Sequence, residues 1–158
     1  MRALLLITSG LLIALGTGCQ SDDYYRADHT TPMREGRAVV RSVRGDAQFS
    51  AVDGWRRLEP GMVLNPGLTL RTASGSTVEL SLGPNGRTIR LTPETELTLE
   101  RLNYSEGSSG QVETVLNLRQ GRIQGKTGKL PPGSRYEVIT PKGRADLTGR
   151  DFGVDADR

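Results

Sequence analysis

Thr77-Val78-Glu79-Leu80-Ser81-Leu82 runs into Gly83-Pro84-Asn85-Gly86 and then into Arg87-Thr88-Ile89-Arg90-Leu91. In the first segment apolar and polar residues alternate strictly, the period of a strand with one face against a core. Val78, Leu80 and Leu82 are expected to point inward, and Ile89 and Leu91 to meet the same core from the return strand. The tetrad between them is turn chemistry, because Asn-Gly favours positive φ and reverses the chain tightly. The stretch predicts a β-hairpin.

Outward from this hairpin the same alternation appears in Glu96–Leu102 and Gln111–Arg119, joined by a loop rich in Gly and Ser. Shorter runs rich in β-branched residues cover Ala38–Val43, Ala47–Val52, Leu68–Thr72, Arg122–Lys126 and Tyr136–Thr140. Each is closed by Gly, Pro, Asn or Asp. Apolar spacing at i, i+3 and i+4 never persists long enough for a helix. Residues 36–158 are therefore expected to be one all-β domain of about ten short strands, a sandwich or β-roll. With two Phe and one Trp in the chain, the core must be mostly Leu and Val, so a thin core and modest stability are expected. Trp55 is expected to cap one end of it.

The N-terminus has a different character. Met1-Arg2 is a short positive start, Ala3 to Leu15 is almost wholly apolar, and Gly16-Thr17-Gly18 supplies small residues before Cys19. That is the layout of a signal peptide over residues 1–18, too short for a spanning helix of about 20 residues. The stretch resembles a lipobox, with Gly16 where Leu is usual. Cys19 is the only cysteine and has no disulfide partner in the chain. It is expected to carry lipid and to hold the protein on a membrane, since two acyl chains already give stable anchoring. Gln20 follows it in place of Asp, which points to the outer membrane, facing the periplasm. Residues 19–35 are polar and aperiodic and read as a flexible tether. His29, the only histidine, lies in that tether with no second ligand nearby.

Several function classes fall away. The net charge of +3 comes from interspersed residues of both signs, without the basic cluster that nucleic-acid binding requires. Arg44-Gly45-Asp46 reads as a turn between strands. Asp151-Phe152-Gly153 echoes a kinase magnesium motif, but nothing else of a kinase accompanies it. Asp151, Asp155 and Asp157 read as a flexible, solvated chain end rather than a calcium site. With Cys19 acylated and His29 in the tether, no nucleophile–base pair remains and no carboxylate dyad stands out. A non-enzymatic protein without metal or cofactor is expected.

Six short motifs recur in order: Gly54-Trp55 with Leu58 and Pro60-Gly61; Arg71-Thr72-Ala73-Ser74-Gly75-Ser76; Asn85-Gly86; Leu118 with Gly121 and Ile123; Val138 with Thr140-Pro141; and Ala145 with Leu147, Gly149, Phe152 and Val154. Over residues 54–154 this series resembles the FecR domain, the periplasmic module of iron-dicitrate-type transmembrane signalling regulators. The motifs themselves read as fold-keeping. Arg71–Ser76 is a polar bend between strands, and Thr140-Pro141 ends one, because Pro has no N–H for the ladder. The family's Arg-Gly-Thr is here Thr148-Gly149-Arg150, so no role is carried over to those side chains. Family members usually continue with another hairpin, which would leave the last strand here at a sheet edge.

Signalling members also carry a cytoplasmic sigma-factor segment and a spanning helix, and neither is legible in residues 1–158. The expectation is therefore a lipid-anchored binding or scaffolding module whose protein partner adds a strand to an open edge. One alternative is an accessory in transmembrane signalling that docks with a receptor or regulator. A second is cell-wall glycan binding, which would need an exposed aromatic platform drawn from Trp55, Tyr24, Tyr25, Tyr104, Tyr136, Phe49 and Phe152.

Overall fold

A computed structural model describes residues 32–86, 88–106 and 110–157. Residues 1–18, expected to be a signal peptide, and Cys19, His29, Tyr24 and Tyr25 lie outside the described residues. In chain order the strands are β1 (Met33–Glu35), β2 (Ala38–Arg44), β3 (Ala47–Ala51), β4 (Gly54–Arg57), β5 (Val63–Leu64), β6 (Thr69–Thr72) and β7 (Thr77–Ser81). They continue as β8 (Thr88–Leu91), β9 (Glu96–Ser105), β10 (Val112–Gln120), β11 (Arg122–Lys126), β12 (Arg135–Thr140), β13 (Gly143–Asp146) and β14 (Asp151–Asp155). The fold is all-β, as expected, with fourteen strands among the described residues in place of about ten.

The strands form two sheets. The first has the order β13-β12-β10-β9-β6-β3-β4, with β1 added to β9, and the second the order β14-β11-β8-β7-β2-β5. Pairing is antiparallel except between β10 and β12. Leucines dominate the shared core: Leu70, Leu97, Leu99, Leu116 and Leu118 from the first sheet meet Leu80, Ile89, Leu91 and Ile123 from the second. The arrangement is a β-sandwich.

The hairpin register is as expected. Val78 pairs with Leu91 and Leu80 with Ile89, and Val78, Leu80, Leu82, Ile89 and Leu91 are all at most 1% exposed. The turn differs. Gly83–Asn85 forms a 3₁₀ turn, Gly86 takes the positive φ of 132°, and Asn85 is fully buried. Its Nδ2 donates to the carbonyls of Asn103 at 2.6 Å and Glu113 at 3.2 Å. The Oδ1 has no partner among the described residues and lies against Gly36, where a Cβ would come within 2.7 Å of it. Asn85 is a staple between the two sheets.

The Arg71–Ser76 bend is one of several corners where the chain changes sheets, and these corners hold one another. Thr72 Oγ1 donates to the carbonyl of Thr92 at 2.7 Å and accepts from the Thr95 amide at 2.9 Å. Thr95 Oγ1 in turn accepts from the Arg122 amide at 3.1 Å. Ser76 Oγ accepts from the Asp46 amide at 2.8 Å, which places Arg44-Gly45-Asp46 in a turn, as expected. Buried polar groups must be bonded, and here the hydroxyls of the motif satisfy backbone groups that the corners expose. Fold-keeping explains these residues.

Three expectations need correction. Met33–Glu35, read as the end of the tether, pairs with Ser105, Tyr104 and Asn103, so the ordered domain begins before residue 36. Trp55 does not cap the core: it sits 40% exposed on edge strand β4, with the Arg71 guanidinium 4.0 Å from its ring centroid. Residues 151–157 are not a flexible end, because β14 pairs along its whole length with β11 and Ala156 is buried.

Candidate functional site

β14 lies at the edge of the second sheet. Which of its backbone groups face outward follows from the pairing. The Thr127 amide bonds to the Arg150 carbonyl and the Ala156 amide to the Gly121 carbonyl. Hydrogen-bonded and non-bonded pairs alternate along an antiparallel ladder, so Asp151, Gly153 and Asp155 are the non-bonded positions opposite β11. Their N–H and C=O groups point away from β11, along the open edge. The same argument leaves Trp55 and Arg57 outward on β4, Arg144 and Asp146 on β13, and Val63 on β5. Among the described sheet edges β14 offers the longest run.

Phe152 and Val154 point inward. The Phe152 ring stands 5.6 Å from that of Tyr136 and lies over Gly125, where a Cβ would collide with the ring. Glycine at 125 is what lets this ring fill the space. Burial deprives the Tyr136 phenolate of water and pushes the phenol well above its usual range.

On the outer face, register aligns Glu79, Arg90, Gln124 and Gly153 in one row, and Thr88, Lys126 and Asp151 in the next. They line a shallow trough of about 630 Å³. Gly153 contributes no side chain to the row, and the Arg122 guanidinium lies over the gap: a Cβ on Gly153 would sit 3.2 Å from Nη2. Arg122 is the direct neighbour of Asp155, yet Asp155 Oδ1 accepts the Asp157 amide at 3.1 Å. Among the described residues neither Arg122 nor Arg90 makes an ion pair. Lys126 reaches Asp151 at 3.8 Å.

The outer face of the first sheet is different. There Arg101 and Glu113 meet at 2.6 Å, Arg135 and Glu137 at 2.7 Å, and Arg144 reaches Glu137 at 3.8 Å. The hydrogen bond from Arg135 lowers the Glu137 pKa, and the Thr148 amide does the same for Asp146. That face pairs its charges closely, whereas beside β14 Arg122 has no ion pair among the described residues.

The other sequence candidates do not converge on a site. Asp151-Phe152-Gly153 is simply strand β14. Asp155 and Asp157 share a backbone turn, and among the described residues no three Asp, Glu, His or Cys form a group suited to a metal. Of the aromatics, Tyr136 is buried, Phe49, Tyr104 and Phe152 are half-buried, and Trp55 has Arg71 over its ring. Sequence reading missed Gly153 and Arg122, whose significance depends on their diagonal proximity across two strands.

A family model described as FecR protein matches residues 68–158. Comparison with curated proteins and with solved structures gives no match. The matched span contains the corners at Thr72, Thr95 and Gly121 and all of β14.

Proposed function

This chain belongs to the FecR protein family, and from that premise we propose that it is a lipid-anchored, non-enzymatic binding or scaffolding module on the periplasmic side of the outer membrane. FecR domains are regulatory or signalling domains associated with the cell envelope. The observation that supports binding is the β14 edge, where Asp151, Gly153 and Asp155 turn three successive sets of backbone groups outward. A protein partner completes the second sheet by adding a strand there, a mode in which main-chain bonds supply affinity and side chains supply specificity. Cys19, with its acyl chains, keeps the domain at the membrane.

Two variants test the reading. Cys19→Ser should abolish incorporation of labelled palmitate and release the protein from membranes. If that variant stays membrane-bound, the anchor is wrong. Gly153→Pro removes one outward N–H and none of the bonds to β11, the setting in which an edge strand tolerates proline. A photo-crosslinking residue at position 151 should form adducts in cells, and Gly153→Pro should abolish them with the melting temperature nearly unchanged. Adducts that persist would rule out strand addition at β14.

The family match also favours a second reading, an accessory in transmembrane signalling that docks through the same edge with a receptor or separate regulator. Neighbouring genes for a sigma factor and a receptor would favour it. Polysaccharide-export genes would favour scaffolding. Glycan binding has less support, because no two exposed aromatics stand together among the described residues.

A further inference from the structure

We infer that the strand received by β14 has a set charge pattern: a carboxylate opposite Gly153 and basic residues two positions to either side, opposite Asp151 and Asp155. This rests on strand addition at β14 and adds the chemistry of the partner.

The pattern follows from which side chains share a face. Asp151, Gly153 and Asp155 all lie on the outer face of the second sheet, so side chains directly opposite them on an added strand lie on that face too. Opposite residues in a hydrogen-bonded antiparallel pair have Cα atoms about 5.5 Å apart. At Gly153 the partner's side chain meets no Cβ. It meets the Arg122 guanidinium, which lies over that position and makes no ion pair among the described residues. A carboxylate is the group that guanidinium pairs with in two-pronged geometry. Arg90, one strand further along the trough, has Glu79 directly opposite it on β7 and so leaves Arg122 as the cation nearest the edge.

The flanking positions carry the opposite sign. Asp151 is exposed, and its ion pair with Lys126 is long, at 3.8 Å. Lysine or arginine opposite Asp151 and Asp155 is favoured, and acidic residues there are disfavoured. The same rule disfavours a second copy of this chain in the register centred on Gly153. Two β14 strands paired about a twofold axis centred on Gly153 would set Asp151 against Asp155, like charge against like.

The test is a titration of the isotopically labelled full-length chain with nonapeptides, followed by amide chemical shifts. One peptide carries Lys-Val-Glu-Val-Lys at its centre. In a second the Glu is Gln, in a third it is Phe, and in a fourth both Lys are Glu. The expected result is that shifts concentrate on Asp151–Asp155 and that the Glu peptide binds about tenfold tighter than the Gln peptide, a difference of about 1.4 kcal/mol. Arg122→Gln should erase that ratio and leave binding of the Gln peptide unchanged. If the Glu, Gln and Phe peptides bind β14 equally, or Phe binds best, the charge pattern is wrong while strand addition stands. If no peptide shifts β14 at millimolar concentration, strand addition there fails, and the pattern with it.

Discussion

Asn85 and Thr114 exchange two hydrogen bonds in the interior of the sandwich. Asn85 Nδ2 donates to Thr114 Oγ1 at 3.2 Å, and that hydroxyl donates to the Asn85 carbonyl at 3.2 Å. Both residues are fully buried, and they join the turn after β7 in one sheet to β10 in the other. Thr114→Val leaves the Asn85 carbonyl without that donor and should cost about 1–3 kcal/mol. Asn85→Asp sets a carboxylate against the carbonyls of Asn103 and Glu113. Only the protonated acid can replace the lost donor, so the variant should be less destabilised at pH 4 than at pH 7. Urea unfolding at both pH values measures this, and equal losses would show that Asn85 does not hold the sheets.

Leu80 and Glu79 are neighbours on opposite faces of β7, one fully buried and the other lining the trough. Leu80→Ala should cost about 2–5 kcal/mol, as buried leucine truncations do. Glu79→Ala should change stability by about 0.5 kcal/mol or less. Similar melting temperatures for the two variants would mean that the register of the hairpin is wrong.

Tyr136 links stability to alkaline pH. Its phenol is held neutral by burial, with a folded pKa above the value of about 10 that a tyrosine has when unfolded. The stabilisation is complete below pH 10. It falls as pH rises from there towards the folded pKa, because only the unfolded chain then gains by ionising. The melting temperature of wild type should therefore drop more steeply above pH 10 than that of Tyr136→Phe. Parallel curves would show that the phenol is not buried in solution.

Much of this architecture is legible in local pattern, and the limits have physical causes. Period two places Val78, Leu80, Leu82, Ile89 and Leu91 correctly, because one face of each strand is buried. The same logic fails for Gly54–Arg57, whose residues are all exposed, and for the exposed Met33–Glu35. Edge strands bury too little to leave an alternating signature. Size alone assigns Trp55 to the core, but β4 is an edge and Arg71 from the same sheet covers the ring. Asn85-Gly86 announces a turn, and its burial depends on partners 18 to 29 residues away. The acidic ends of β14 resemble a solvated tail. Its outward backbone groups are fixed by the Thr127–Arg150 and Gly121–Ala156 pairs, which only the fold brings together.

The central claim is that β14 is the surface through which this domain engages its partner. Hydrogen exchange of the chain in isolated envelopes, compared with the purified chain, tests it whatever that partner is. Amides in peptides covering residues 150–157 should exchange more slowly in the envelope, because an added strand bonds the outward N–H groups of Asp151, Gly153 and Asp155, while β4 and β13 exchange equally in both samples. Unchanged exchange at β14, or protection at β4 or β13 in its place, would contradict the account.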